Sequence, residues 1–144
     1  MSLAICLLLC SADFSVKFSS IIYFKLTTLI KKILFIDDEP SLLEVAPLIF
    51  DTFDVHVTSE YDLIFDLIDK VEPDLIMLDI LLGPTNGIDV CNSIKQNEKY
   101  SNIPVILMTA GFLPNKSKLC EADGFIEKPF NIEDAVAIVN MLTR

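Results

Sequence analysis

From residue 31 onward, short apolar runs recur five times, and each is followed by a stretch of polar and apolar residues with helical spacing. Ile33-Leu34-Phe35-Ile36 predicts a first strand ended by Asp37, and Ser41 to Asp51 a first helix with Leu42, Val45, Leu48 and Ile49 apolar at spacings of 3, 3 and 1. Pro47 falls inside that helix and should kink it. Val55 to Thr58 reads as a short second strand, and Tyr61 to Val71 as a second helix with Ile64, Leu67, Ile68 and Val71 on one face. Leu75-Ile76-Met77-Leu78, ended by Asp79, is the third strand; a Gly83-Pro84-Thr85-Asn86-Gly87 loop leads to a third helix from Ile88 to Glu98. Val105-Ile106-Leu107-Met108, ended by Thr109, is the fourth strand, with a short fourth helix expected at about Asn115 to Glu121. Gly124 to Glu127 is the fifth strand, ended by Lys128-Pro129, and Ile132 to Leu142 the fifth helix. Continuous apolar strands alternating with amphipathic helices predict an α/β protein: a parallel sheet covered on both faces and wound by right-handed crossovers.

Residues 1–30 stand outside this alternation. Leu3 to Cys10 is an unbroken apolar run of eight, whereas a membrane-spanning helix needs about 20 residues. The Cys10-Ser11-Ala12 stretch before Asp13 is a passable small-residue cleavage site, but neither Lys nor Arg precedes the run. A second patch, Ile21 to Ile30, is interrupted by Lys25, Thr27 and Thr28. Three readings stay open: a dispensable extension translated upstream of the true start, a weak membrane or partner anchor, and a cleaved leader. Lys31-Lys32 followed by the first apolar run marks a natural beginning, so the division expected is an extension over 1–30 and one domain over 31–144.

Charge narrows the partners. Lys and Arg total 11 against 21 Asp and Glu, a net −10. Residues 1–30 hold Lys17 and Lys25 against Asp13, or +1, which leaves −11 for 31–144. So acidic a body repels nucleic acid and anionic lipid, so no nucleic-acid partner is expected, and membrane contact only if the extension is an anchor. Cys6, Cys10, Cys91 and Cys120 form no C-x-x-C pair and have no histidine cluster nearby, which excludes zinc and haem. They read as reduced small hydrophobes, Cys91 and Cys120 within helical patterns, in a cytoplasmic protein. His56, the single histidine, reads as an exposed edge residue.

The strand ends carry the chemistry. In an open parallel sheet, function gathers at the carboxyl ends of the strands. There this chain has Asp37-Asp38, Asp79, Thr109 and Lys128. Three carboxylates against one ammonium leave a deficit of two positive charges, and crowded carboxylates repel. A divalent cation meets the deficit; oxygen-only ligands favour magnesium, with manganese as the alternative, over zinc. A carboxylate beside such a cation can attack phosphorus, with the cation, Thr109 and Lys128 each serving one phosphoryl oxygen.

Phe35-Ile36-Asp37-Asp38-Glu39-Pro40, Leu78-Asp79, Met108-Thr109-Ala110 and Glu127-Lys128-Pro129-Phe130 together resemble the receiver domain of bacterial two-component response regulators, over residues 31–144. The resemblance implies a flavodoxin-like, doubly wound, five-stranded sheet of order 2-1-3-4-5. It implies that Asp79 accepts a phosphoryl group from a histidine kinase or phosphotransfer protein. Magnesium would be held by Asp37, Asp38, Asp79 and the backbone carbonyl of Leu81. Thr109, the Ala110 backbone and Lys128 would contact the phosphoryl group, Thr109 and Phe125 would act as the switch, and the Lys128–Pro129 bond would be cis.

Thr109 to Lys128 spans 19 residues, about one helical turn fewer than is common in that family, so the fourth helix is expected to be stunted. Leu81 and Gly111 occupy positions that tune phosphoryl hydrolysis in the family, and neither side chain can hold a water, so slow hydrolysis is expected. Because the chain ends at Arg144, the expectation is a stand-alone switch, not an enzyme, that signals by contact with an unknown output protein, with homodimerisation an open option. Two alternatives are a non-phosphorylated interaction module of the same fold and a small magnesium-dependent phosphatase. The phosphatase would want a second Asp two residues after its nucleophile, where Asp79 has Leu81.

Overall fold

A computed structural model describes residues 30–111 and 120–144. The chain divides into two units, 1–30 and 31–144, and the second carries the α/β alternation. In chain order it consists of β1 (Lys32–Ile36), α1 (Pro40–Ile49), β2 (Asp54–Thr58), a 3₁₀ turn (Tyr61–Leu63), α2 (Ile64–Val71) and β3 (Leu75–Asp79). There follow β4 (Leu81–Leu82), β5 (Thr85–Asn86), α3 (Gly87–Gln96), β6 (Val105–Thr109), β7 (Gly124–Glu127) and α4 (Ile132–Leu142).

The main sheet has the order β2-β1-β3-β6-β7, every pair parallel. With the two-residue β4–β5 ribbon set aside, this is the doubly wound 2-1-3-4-5 order. The three central strands are apolar and buried along almost their whole length because helices cover both faces. Alternate side chains feed two cores. Leu34, Ile36, Ile76, Leu78 and Leu107 join Ile64 and Ile68 of α2 and Cys91 and Ile94 of α3. Ile33, Phe35, Met77, Ile106 and Met108 join Ala46 of α1 and Ala135 and Val139 of α4 on the other face. Among the described residues, no helix is long and apolar enough to cross a membrane.

Several local expectations need correction. The first helix turns a different stripe inward: Leu42, Leu43, Ala46, Ile49 and Phe50 face the core, whereas Val45 and Leu48 are exposed. Pro47 lies inside this helix, where the sequence places it. The second begins with a 3₁₀ turn rather than an α-helical one. The ribbon Leu81–Leu82 with Thr85–Asn86 replaces what reads as plain loop. The expected fourth helix lies largely outside the described residues; its last two positions, Cys120 and Glu121, have no regular structure, so Cys120 is not helical.

Candidate functional site

The sheet topology brings four strand ends together. β1 and β3 are neighbours, so Asp37 and Asp79 emerge side by side, and β6 and β7 place Thr109 and Lys128 next in line. Asp37 is fully buried, Asp79 is 5% exposed, and Asp38 faces solvent. One carboxylate oxygen from each of Asp37, Asp38 and Asp79 lies within 4.8 Å of the others.

Lys128 is the hub. Its Nζ donates to Asp37 Oδ2 at 2.5 Å and to Asp79 Oδ2 at 2.8 Å. The remaining oxygens are held by backbone: Asp37 Oδ1 accepts from the Glu39 N–H at 3.0 Å, and Asp79 Oδ1 from the Leu81 N–H at 3.3 Å. Burial raises the Asp37 carboxyl above the ordinary aspartate range, and the nearby charge of Asp79 adds to this; Lys128 and the Glu39 N–H oppose it without cancelling it. Lys128 shows the reverse balance. Burial disfavours its charge, but its hydrogen bonds to Asp37 and Asp79, and their negative charges, hold it above the usual lysine value.

Asp79 is positioned by a close approach from α3. The Gly87 N–H donates to the Ile80 carbonyl at 2.8 Å, and a Cβ on Gly87 would run into the Asp79 carbonyl oxygen. Only glycine lets the start of α3 sit this near the end of β3. Asn86 then caps α3 by accepting from the Ile88 N–H at 2.9 Å.

Thr109 points its hydroxyl into its own loop. Oγ1 accepts from the Gly111 N–H at 3.1 Å and donates to the Gly111 carbonyl at 3.2 Å. The Lys128 N–H donates to the Thr109 carbonyl at 2.7 Å, tying the ends of β6 and β7 together. The Lys128–Pro129 bond is cis. Phe125 is half-buried and packs against the α2–α3 core. Ala110 is exposed, and Leu81 is 65% exposed. Thus Asp37, Asp38, Asp79 and Lys128 form one cluster, with Thr109 beside it but engaged elsewhere. His56 lies on the edge strand β2, paired with Asp54 at 3.2 Å, away from this cluster in the sheet order. The hold of Gly111 on Thr109 was not read from sequence, although a Thr-x-Gly turn was a usable signal.

Comparison with known proteins shows the family and the fold. The family model for the response regulator receiver domain matches residues 33–140. The chain is 33% identical over 118 residues to the DNA-binding dual master transcriptional regulator RpaA of Synechocystis sp., covering 78% of this chain and 49% of that protein. It is 30% identical over 127 residues to the DNA-binding response regulator MtrA of Mycolicibacterium smegmatis, covering 81% and 52%. It therefore spans about half the length of these curated relatives. The fold matches the Vibrio cholerae chemotaxis protein CheY4 with a TM-score of 0.72 at 19% identity, covering 78% of this chain and 98% of that one. A receiver domain of a DNA-binding response regulator from Colwellia psychrerythraea matches with a TM-score of 0.71 at 24% identity, covering 78% and 97%. The chain belongs to the receiver-domain family of two-component response regulators, whose members are phosphorylation-dependent signalling switches.

Proposed function

We propose that this chain accepts a phosphoryl group on Asp79 from a histidine kinase or phosphotransfer protein, and signals by protein contact in the cytoplasm. One observation carries the reading: Lys128 bridges Asp37 and Asp79 while Asp38 completes a carboxylate cluster within 4.8 Å. Three carboxylates and one ammonium leave a local charge of −2, and every donor is oxygen. That set fits a hard divalent cation, magnesium first and manganese second. Asp37, Asp38, Asp79 and the Leu81 carbonyl would hold it, and when bound it supplies neutralisation of the phosphoryl oxygens.

The remaining work belongs to the chain. Asp79 is the nucleophile: its carboxylate oxygen bonds to phosphorus as the bond to the donor imidazole nitrogen breaks. Lys128, already on Asp79, meets the charge brought by the phosphoryl group. Thr109 must leave Gly111 to donate to a phosphoryl oxygen beside the Ala110 N–H, and Phe125 would turn into the space so released. Phosphorylation adds about −2 charge and three acceptors, enough to pull Thr109 from one partner to the other. Residues 31–144 carry net −11, which disfavours their own contact with DNA and favours a protein as output partner.

Incubation with acetyl phosphate tests this. The intact mass gains one phosphoryl group with magnesium present and none with a chelator. No gain under either condition would favour a non-phosphorylated interaction module, and continuous turnover of a phosphomonoester would favour a phosphatase.

A further inference from the structure

The α2–α3 core contains two thiols that the phosphoryl chemistry does not use. Cys91, on α3, is fully buried, and Cys120, half-buried, packs against the same apolar cluster. Both sit on one core cluster, and an ion pair between residues just beyond each of them joins their segments. Their backbones are fixed relative to one another by a polar clasp. Lys95, one turn after Cys91, donates to the Ser101 carbonyl at 3.3 Å and the Ile103 carbonyl at 2.8 Å, and pairs with Asp123 at 2.6 Å. Asp123, three residues after Cys120, also accepts from the Val105 N–H at 2.8 Å. The segment entering β7 is thus pinned to both α3 and β6, with Cys120 on the same core cluster as Cys91.

We propose that Cys91 and Cys120 are a reversible redox pair that a peroxide closes into a disulfide, joining α3 to the segment entering β7. The two sulfurs have different roles because their surroundings differ. Burial, reinforced by Cys120, holds the Cys91 thiol well above the ordinary cysteine range, and Lys95 only partly offsets this, with Asp123 acting against it. Cys120 is the one a small oxidant can reach. Its sulfur attacks peroxide: an S–O bond forms, the O–O bond breaks, and the departing hydroxide takes up a proton to become water. The Cys91 sulfur then attacks the sulfenic sulfur of Cys120, forming S–S as S–O breaks, and the Cys91 proton leaves with the hydroxide as a second water. Two thiols lose two electrons and one peroxide gains them. Because Cys91 and Cys120 share one core cluster before oxidation, closure competes with further oxidation of Cys120.

This proposal is independent of phosphorylation and is tested on the full chain. The protein is treated with hydrogen peroxide, alkylated with iodoacetamide in denaturant, and digested with trypsin. Cys91 then lies in the peptide 71–95 and Cys120 in 119–144, since Lys128–Pro129 resists cleavage. The expected product is these two peptides joined, two hydrogens lighter than their sum, and released by dithiothreitol. Cys120 carried to sulfinic acid with Cys91 alkylated would overturn the proposal, as would both cysteines alkylated, or either joined to Cys6 or Cys10 instead. In Cys120→Ser, Cys91 should remain alkylatable at a peroxide dose that closes the wild-type pair; equal oxidation of Cys91 there would overturn the assigned order.

Discussion

Lys128 Nζ sits 2.5 Å from Asp37 Oδ2, joining the end of the last strand of the sheet to the end of the first. The same ammonium holds Asp79 at 2.8 Å, so one cation organises two buried acids. Lys128→Met should therefore act in two opposite ways. Without magnesium, Asp37 and Asp79 lose their shared partner, and the fold should lose about 1–3 kcal/mol, read by urea denaturation. With the ammonium gone, the cluster's charge goes from −2 to −3, so calorimetric titration should show magnesium binding several-fold tighter, while phosphoryl uptake falls.

The pH dependence has two limbs. Lys128 has a folded-state value raised above the ordinary lysine 10.5, so its stabilising contribution is fully present below that value and is lost as pH rises through the folded one. Thermal unfolding between neutral and strongly alkaline pH should decline more steeply for the wild type than for Lys128→Met. Asp37 is also raised, from 3.8, chiefly by burial. A raised acid favours folding below its unfolded value, and that favour is lost as pH rises through the folded value. Acid therefore does not unfold the domain through Asp37, but the proton competes with the cation. Magnesium affinity should fall with acidification beginning above pH 3.8, and Asp37→Asn should bind weakly at every pH, both read by calorimetry.

Two glycines near the site should respond differently. Gly87→Ala drives a Cβ into the Asp79 carbonyl, a backbone obstacle that cannot rotate away. We expect a loss of about 1–3 kcal/mol and impaired phosphorylation, because Asp79 itself must shift. Gly83 has φ +53° but open space around it. Gly83→Ala should cost only about 1 kcal/mol and leave phosphorylation intact. Denaturation midpoints and acetyl phosphate uptake on the two variants separate the effects.

Leu81 is 65% exposed, and its aliphatic side chain can neither hold nor orient a water. The phosphorylated wild type should keep its group for minutes or longer, and Leu81→Asn should shorten that lifetime several-fold. Loss of the phosphoryl mass over time, with magnesium present, measures both; a wild-type half-life of seconds would refute slow hydrolysis.

The strands were legible in the sequence because burial on both sheet faces forces continuous apolar runs, which end where polar chemistry begins. β7 and α4 accordingly have the bounds predicted for the fifth strand and fifth helix. α1 was harder to read because it is apolar on more than one side. The spacing of Leu42, Val45, Leu48 and Ile49 looked like an inward stripe, but Ala46 allows the closest packing, and Leu42, Leu43, Ile49 and Phe50 turn inward with it. The β4–β5 ribbon was invisible because two-residue strands have no periodicity. At the site, charge arithmetic identified the shortfall at Asp37, Asp38, Asp79 and Lys128. It could not reveal that Lys128 takes both buried acids, or that Thr109 rests on Gly111, since those depend on side-chain geometry.

Asp79→Asn treated with acetyl phosphate and magnesium, beside the wild type, tests the central claim most directly. The account predicts that the wild type gains the mass of one phosphoryl group and that the variant, folded to the same circular dichroism spectrum, gains none. Equal uptake by the two proteins would contradict it.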